Sequence, residues 1–325
     1  MQARVISHHG RQAWVMDTQG HRHLCVFKGR DLLPAANDRV DIDLSASPAV
    51  ITAIHSRENQ LTRSEAHRSK TLAANVDQAL IVISGAPIFS DEILARIICA
   101  CAAERIGGII AMNKIDLEPE ARAARAQLDC FRPALNLLGF SVVEVCAKPG
   151  QASGLEGVKG LHALLANKIT VILGQSGMGK SSLLNVLVPG INAQTREISE
   201  ALQTGKHTTT ASTMVRLDGA PSNAASHAHS AAPQTATTDS AKDAAALGWL
   251  IDTPGFQLYG LHHLSESEMA LGFPEWQTAQ ETYGRCKYAN CHHTGEPGCT
   301  VESLVGKKEL SQRRLELWRM LTKAQ

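Results

Sequence analysis

At 325 residues and a formal net charge of +1, the chain can bury substantial cores and reads more naturally as two or three domains than as one. Its aromatic content of 4% excludes an RNA surface built mainly on stacked rings, whereas near-neutrality excludes nothing, because opposite patches cancel in the sum. The opening MQARVISHHGRQ lacks the apolar run of a signal peptide and no stretch approaches the roughly 20 apolar residues of a membrane helix, so a soluble, cytoplasmic protein is expected, with its eight cysteines free or metal-bound rather than disulfide-linked.

In chain order, residues 3–6, 12–17, 23–27, 39–44 and 50–54 are short β-like runs separated by turn chemistry at His9-Gly10, Gln19-Gly20, Lys28-Gly29 and positions 34–38. Five short strands in this space predict a small β-barrel of the oligonucleotide-binding type, a pattern that leaves its RNA role open. From about residue 71 the rhythm changes. Strands are predicted at 79–83, 108–112, 141–145, 169–173 and 248–251, alternating with helix-like stretches at 91–105, 118–138 and 155–167 and another starting near Lys180. That alternation predicts a parallel sheet with helices on both faces. Residues 219–246, rich in Ala, Ser and Thr, cannot bury enough surface to offset their ordering entropy and predict a disordered surface insertion, in which His227 and His229 read as loop residues.

Gly174-Gln175-Ser176-Gly177-Met178-Gly179-Lys180-Ser181 matches G-x-x-x-x-G-K-[ST], directly after an apolar strand and opening a helix. Its glycines let backbone N–H groups curl around a β-phosphate, and the helix N-terminus adds partial positive charge. Lys180 is expected to reach the β- and γ-phosphates and the Ser181 hydroxyl to ligate Mg²⁺; Ser182 belongs to the same nucleotide-binding set. Asn113-Lys114-Ile115-Asp116 chooses the base. The Asp116 carboxylate accepts from guanine N1–H and the 2-amino group, which adenine cannot mimic; Asn113 meets the N7 edge and the Lys114 stem lies along the ring. Cys146-Ala147-Lys148 is similar to the S-A-K loop, whose Ala amide meets guanine O6, with Cys in place of Ser.

Asp252-Thr253-Pro254-Gly255 matches D-x-x-G, so Asp252 is expected to hold Mg²⁺ through water and the Gly255 N–H to sense the γ-phosphate. Between the two motifs lies Thr204-Gly205-Lys206-His207-Thr208-Thr209-Thr210, in the position of a first switch. One of its last three threonines, Thr209 by preference, is expected to ligate Mg²⁺ when GTP is bound. Phe256 stands where GTPases of the Ras type carry a water-orienting Gln, so hydrolysis is expected to be slow unaided and to need another group. His207 is the candidate catalytic residue; an RNA-contacting or solvated histidine is the alternative.

Cys286, Cys291, His293 and Cys299, spaced C-x4-C-x-H-x5-C, offer the closed tetrahedral set of a structural Zn²⁺, with His292 as an alternative ligand and Gly295, Pro297 and Gly298 as turns. Residues 307–323 carry Lys307, Lys308, Arg313, Arg314, Arg319 and Lys323 beside an apolar stripe of Leu310, Leu317, Trp318 and Leu321, with Leu315 near its edge. An RNA-facing basic helix is the preferred reading, and a helix packed on its own domain the other.

Small GTPases conventionally run P-loop, first switch, D-x-x-G, N-K-x-D, S-A-K. Here the guanine motifs come first, so the GTPase domain is circularly permuted, which compact domains tolerate because their termini are often close. Cys286 follows Gly255 by only about thirty positions, so nucleotide state is expected to reorient the zinc-binding domain. The permuted order, the Gly-Lys-His-Thr-Thr-Thr stretch, Asp252 through Phe256 and the cysteine–histidine spacing resemble the bacterial ribosome-small-subunit-dependent GTPase A family. Asn59, Leu61, Arg63 and Ala73-Ala74-Asn75-Val76-Asp77-Gln78 resemble its linker. The resemblance covers the chain except for 219–246. It implies an OB-like barrel and linker (1–70), a permuted α/β P-loop GTPase domain (71–265) and a small zinc-binding domain with a basic helix (266–325). It further implies GTP hydrolysis to GDP stimulated by the 30S subunit, late small-subunit maturation and contact with 16S rRNA, in a monomer that avoids membranes. An RNA-binding, nucleotide-dependent scaffold without turnover is the competing class, and Asp116 disfavours a P-loop ATPase or kinase.

Overall fold

The computed structural model describes residues 1–27, 32–65, 68–148, 155–191, 212–217, 248–307 and 310–323. His207, Thr208, Thr209, Thr210 and residues 219–246 lie outside the described residues.

Strands β1 (Gln2–His9), β2 (Gln12–Asp17), β3 (Arg22–Phe27), β4 (Arg39–Asp43) and β5 (Ala49–Ile54) pair in the order β1-β2-β3-β5-β4 and close through β1–β4. Only β3–β5 is parallel. Period-two alternation turns Val5, Ala13, Val15, Cys25, Phe27, Val40, Ile42 and Ile51 into one interior. The alternate residues Trp14, Met16 and Leu24 face outward and pack against the larger core of the neighbouring sheet. The five-stranded barrel read from the sequence is therefore present, and the part of its outer face on β2 and β3 is an internal interface.

A hairpin absent from the sequence reading follows, β6 (Gln60–Glu65) with β7 (Arg68–Ala74), spanning the expected division at residue 70. The second sheet runs β10 (Ser141–Glu144), β9 (Gly107–Asn113), β8 (Gln78–Ser84), β11 (Ile169–Gly174), β13 (Trp249–Asp252) and β12 (Thr213–Arg216). The first five are parallel, and β8 is apolar along nearly its whole length, as a strand buried on both faces must be. The short β12, also unforeseen, is antiparallel to β13 and meets the barrel through Ser7 opposite Thr213, joining both sheets into one of eleven strands.

Helices α1 (Asp91–Ala103), α4 (Leu155–Leu165) and α5 (Lys180–Leu187) lie where the periodicity puts them. The stretch 118–138 instead divides into α2 (Glu118–Asp129) and α3 (Arg132–Leu137). Pro133 is the cause. In one continuous helix its ring would clash with the Asp129 carbonyl and its missing N–H would break the ladder, whereas in the first turn of α3 neither matters.

The C-terminal module comprises α6 (Glu266–Ala270), α7 (Pro274–Tyr283), α8 (Thr300–Leu304) and α9 (Gln312–Lys323). α6 and α9 pack on α1, and α7 packs on α3. Contact at Gly272 is so close that a Cβ there would lie 2.6 Å from Cys99 Sγ and 2.9 Å from its Cα. The terminal helix begins at Gln312, later than expected, and of its basic residues Arg314 is buried, Arg319 half-buried, and Arg313 and Lys323 exposed. Arg314 is 1% exposed, donates to Glu275 Oε1 at 2.8 Å and to the Gly272 carbonyl at 2.6 Å, and lies 3.9 Å from the Phe273 ring centre. Arg313 pairs with Asp91 and Glu316, and Arg319 with Glu302. These three arginines thus face internal carboxylates, which favours the packed-helix reading of 307–323. Arg314→Ala leaves Glu275 as a buried charge without its cation and is expected to cost about 3–5 kcal/mol. The check is a lower midpoint in urea unfolding, with Arg314→Met combined with Glu275→Leu restoring most of it.

Candidate functional site

β11 is flanked by β8 and β13, so its C-terminal end opens where two other strand ends converge, the usual place for a ligand in an open α/β sheet. The turn from Gly174 to Lys180 needs left-handed backbone at Gly177 (φ 86°) and at Gly179 (φ 86°). A Cβ at Gly179 would also lie 2.2 Å from Asn113 Nδ2, so a side chain is excluded there twice over. Gln175, Ser176, Gly177, Gly179, Lys180, Ser181, Ser182, Lys114 and Gly255 line one cavity of about 440 Å³.

Asn113 bolts the loops together. Its Nδ2 donates to the Met178 carbonyl at 3.0 Å, and its Oδ1 accepts from the Ala147 amide at 3.1 Å. The phosphate-loop motif, the guanine motif and the Cys146-Ala147-Lys148 loop, far apart in sequence, are thereby joined through one side chain. Lys114, itself at φ 61°, donates to the Gly177 carbonyl and to the Ala86 carbonyl. The β8–α1 loop that supplies Ala86 was not anticipated; it has no nucleotide signature, and Pro87 touches the Gly177 position.

Asp116 accepts from Cys146 Sγ at 3.2 Å and from the Lys148 ammonium. The Lys148 hydrogen bond holds the Asp116 carboxyl below the usual carboxylate range, and the same contact raises the Lys148 ammonium. Burial raises the Cys146 thiol, which therefore acts as a neutral donor toward Asp116. Lys180 is 8% exposed, with Nζ 3.2 Å from Asp252 Oδ1 and bonded to the Thr253 carbonyl. Thr253, fully buried, ties this corner to β11 through a 2.6 Å hydrogen bond to the Ile172 carbonyl. At Gly255 an added Cβ would lie 3.7 Å from Ser176 Cα, so the D-x-x-G turn runs alongside the phosphate loop. Phe256 is 4% exposed against Tyr259, and its backbone bridges to Gln175. A buried phenyl ring has no hydrogen bond to offer a water, consistent with the sequence reading of position 256.

In the C-terminal module the ligand atoms of Cys286, Cys291, His293 and Cys299 all lie within 4.8 Å of one another. His293 Nδ1 is 3.7, 3.6 and 3.3 Å from the three sulfurs. A tetrahedral ion with S and N bonds of about 2.3 and 2.1 Å has an S–N edge of about 3.6 Å, so the cluster can hold one metal ion. The rival His292 points elsewhere, with Nδ1 2.6 Å from Glu266 Oε1. Sequence reasoning missed the residues that shape this loop. Glu296 accepts from the His292 and Thr294 amides, Trp318 Nε1 donates to the His292 carbonyl at 2.7 Å, and Trp276 meets the His293 ring edge-on. An acid between the ligands and two of only four tryptophans in the chain were the available signals.

Among the described residues, no helix is long and apolar enough to cross a membrane. Residues 54–221 match the family model described as RsgA GTPase. The protein named small ribosomal subunit biogenesis GTPase RsgA from Ralstonia nicotianae is 39% identical over 320 residues, covering 98% of this chain and 90% of that protein. Its namesake from Burkholderia pseudomallei is 38% identical over 325 residues, covering 98% and 91%. Among solved structures, YjeQ from Thermotoga maritima superposes with a TM-score of 0.66 at 25% identity, covering 99% of this chain and 98% of that one. YloQ, described as a circularly permuted GTPase, superposes with a TM-score of 0.62 at 23% identity, covering 99% and 94%.

Proposed function

The chain belongs to the RsgA GTPase family, and from that premise we propose that it hydrolyses GTP on the small ribosomal subunit during late maturation of that particle. The observation that carries the reading is Asn113, whose side chain links the phosphate loop to both guanine loops. In this reading Asp116 accepts from the guanine N1–H and 2-amino group, and the Ala147 amide exchanges its hydrogen bond to Asn113 Oδ1 for one to O6 when guanine binds. Lys180 and the amides of the Gly174 to Ser182 turn take the β- and γ-phosphates.

Ser181, which lines the cavity, suits a Mg²⁺ ion directly and Asp252, close to Lys180, through water, with Thr209 as a further ligand. When bound, the ion neutralises charge on the β- and γ-phosphates. Gly255 registers the γ-phosphate, and His207 is the group assigned to position or activate water, because Phe256 cannot. Cys286, Cys291, His293 and Cys299 hold a Zn²⁺ that folds the C-terminal module and takes no part in chemistry. We divide the chain into a barrel and linker (1–70), the permuted GTPase (71–265) and the zinc module (266–325). The protein acts as a cytoplasmic monomer, with 16S rRNA as its contact on the subunit, and the nucleotide reorients the zinc module.

GTP turnover measured alone and with 30S subunits, 50S subunits or free rRNA tests this. Strong acceleration by 30S alone is expected. Lys180→Ala should lower the stimulated kcat about 10²–10³-fold, as removal of one transition-state donor does elsewhere. Equal stimulation by 50S, or none by any particle, would reject the assignment and favour a scaffold without turnover.

A further inference from the structure

The segment that follows the D-x-x-G turn does not run straight to the C-terminal module. It first lies across strand β6 of the hairpin. The Tyr259 hydroxyl, on a side chain 1% exposed, donates to the Thr62 carbonyl at 3.1 Å. The Ser64 amide donates to the Gly260 carbonyl at 3.2 Å, and Ser64 Oγ accepts from the His263 amide at 3.2 Å and lies 2.8 Å from His263 Nδ1. The approach at Gly260 leaves no room for a side chain, because a Cβ would lie 1.7 Å from the Ser64 carbonyl oxygen.

The other strand of the hairpin is fastened to the barrel. Ala73 bridges to Ala36, and the Ala74 amide donates to the Ala36 carbonyl at 3.0 Å. Asn37 Nδ2 donates to the carbonyls of Ala74 and Asn75 at 2.9 and 2.8 Å. The same loop is stitched to β1, where Val5 accepts from the Asn37 amide at 2.8 Å and donates to the Asp38 carbonyl at 2.9 Å. Two residues further along β1, Ser7 pairs with Thr213 of β12, whose partner β13 ends at Asp252. Between these two attachments the β1–β2 register shifts by a bulge at Ile6. A bulge is where a strand bends and twists most readily.

We propose that strand β1 is the receiver of nucleotide state in the barrel. It is held on one side of its bulge by the extension of the second switch, through β6–β7 and the loop at 35–38. On the other side it is held by β12. A change at Gly255 that shifts residues 256–264 moves β6, because the hydrogen bonds and the contact at Gly260 leave no slack, and two attachments either side of a bulge convert that shift into a tilt of the barrel. Coupling of this kind is reciprocal, so a partner that grips the barrel changes the affinity of the site for GTP relative to GDP by the same factor. This rests on the reading of the site as a GTP switch and adds the barrel as a second output beside the zinc module.

The test is amide hydrogen exchange on the full chain with GDP and with a non-hydrolysable GTP analogue, each with Mg²⁺, binding being followed separately by a fluorescent guanine nucleotide. Residues 60–65, 35–38 and 5–7 should change in exchange rate between the two states by about fivefold or more, the low end of ordinary coupling. Ser64→Ala, which keeps the backbone path but removes the hydroxyl contacts to His263, should reduce that difference at 35–38 and 5–7 while nucleotide affinity stays within about twofold, since Ser64 touches no part of the nucleotide site. Gly260→Ala, which forces the strap off β6, should abolish it. Tight binding of both nucleotides with identical exchange in the wild-type hairpin and β1 would overturn the proposal and leave the nucleotide assignment standing. Failure to bind either nucleotide would overturn that assignment and the coupling with it.

Discussion

Replacing Asp116 by Asn is expected to turn a guanine-selective site into one that prefers xanthine nucleotides. Guanine presents two donors, N1–H and the 2-amino group, and a carboxylate accepts both. An amide offers one acceptor and one donor, which suits the 2-oxo group of xanthine instead. A site built around paired hydrogen bonds rejects the mismatched analogue by about 10⁴–10⁵-fold, so the GTP-to-XTP preference should invert by a factor of that order. The Asp116 carboxylate is positioned by Cys146 Sγ and Lys148, and Asn113 is fixed between two loops, so the change should leave the rest of the site in place. The Lys148 contact lowers the Asp116 pKa, so the carboxylate form persists down through the usual carboxylate range and is lost only as pH falls through the lower folded value. Guanine preference should accordingly not titrate between neutral and mildly acidic pH. Competition of GTP, XTP and ATP against a fluorescent guanine nucleotide in the wild type and a fluorescent xanthine nucleotide in the variant, at neutral and mildly acidic pH, checks both statements. ATP competing as well as GTP in the wild type, with no shift in Asp116→Asn, would show that the base is read elsewhere.

Removing the zinc ion proposed for the C-terminal module should have the largest effect on stability. Apparent folding contributions of a structural zinc ion in small domains reach about 10–16 kcal/mol. The ligand loop of this chain is also clamped by Trp318 on the His292 carbonyl and by Trp276 against His293, so loss of the ion should be reported by those rings. One zinc per chain is expected on thiol modification in the presence of a chelating dye. Cys299→Ala should carry less than one equivalent and lose most of the near-ultraviolet dichroism from Trp276 and Trp318. Fluorescent guanine nucleotide should still bind, because no ligand of the metal lines the phosphate cavity. Full metal retention with an unchanged tryptophan signal in Cys299→Ala would exclude the four-residue site.

How much of this was legible in the sequence depends on whether the signal was local. The phosphate loop, the guanine motif and the cysteine–histidine set are each short runs whose chemistry is carried by neighbours, so composition and spacing reveal them. The barrel strands and β8 to β11 announce themselves by alternation or by apolar length. The β6–β7 hairpin does not, because Thr62 meets Thr71 hydroxyl to hydroxyl, Ser64 meets His263, and the strands carry no period-two apolar face. Its covering strap lies nearly two hundred residues away. β12 has four residues, too few for periodicity to register. The split at Pro133 was readable from the proline itself, and periodicity overrode it. Arg314 shows the opposite limit: an arginine reads as surface until Glu275, thirty-nine positions earlier, is brought against it. His292 and His293 are equivalent as letters and are separated only by which way the loop turns them.

The strand order of the sheet has a consequence for how the protein is made. β11 fills the gap between β8 and β13, yet β9 and β10 are synthesised before it. A nascent chain therefore carries β8, β9 and β10 with one edge of β8 bare until residue 174 has left the exit tunnel. At about 5–20 residues per second, the ninety positions from Ser84 to Gly174 take roughly 5–20 seconds. An apolar parallel strand with an open edge is the kind of surface that recruits chaperones or neighbouring chains. β1, translated before β8, waits longer still, because its partner β12 ends at Arg216. The barrel can close before β12 exists, but it joins the second sheet only after Arg216 has emerged.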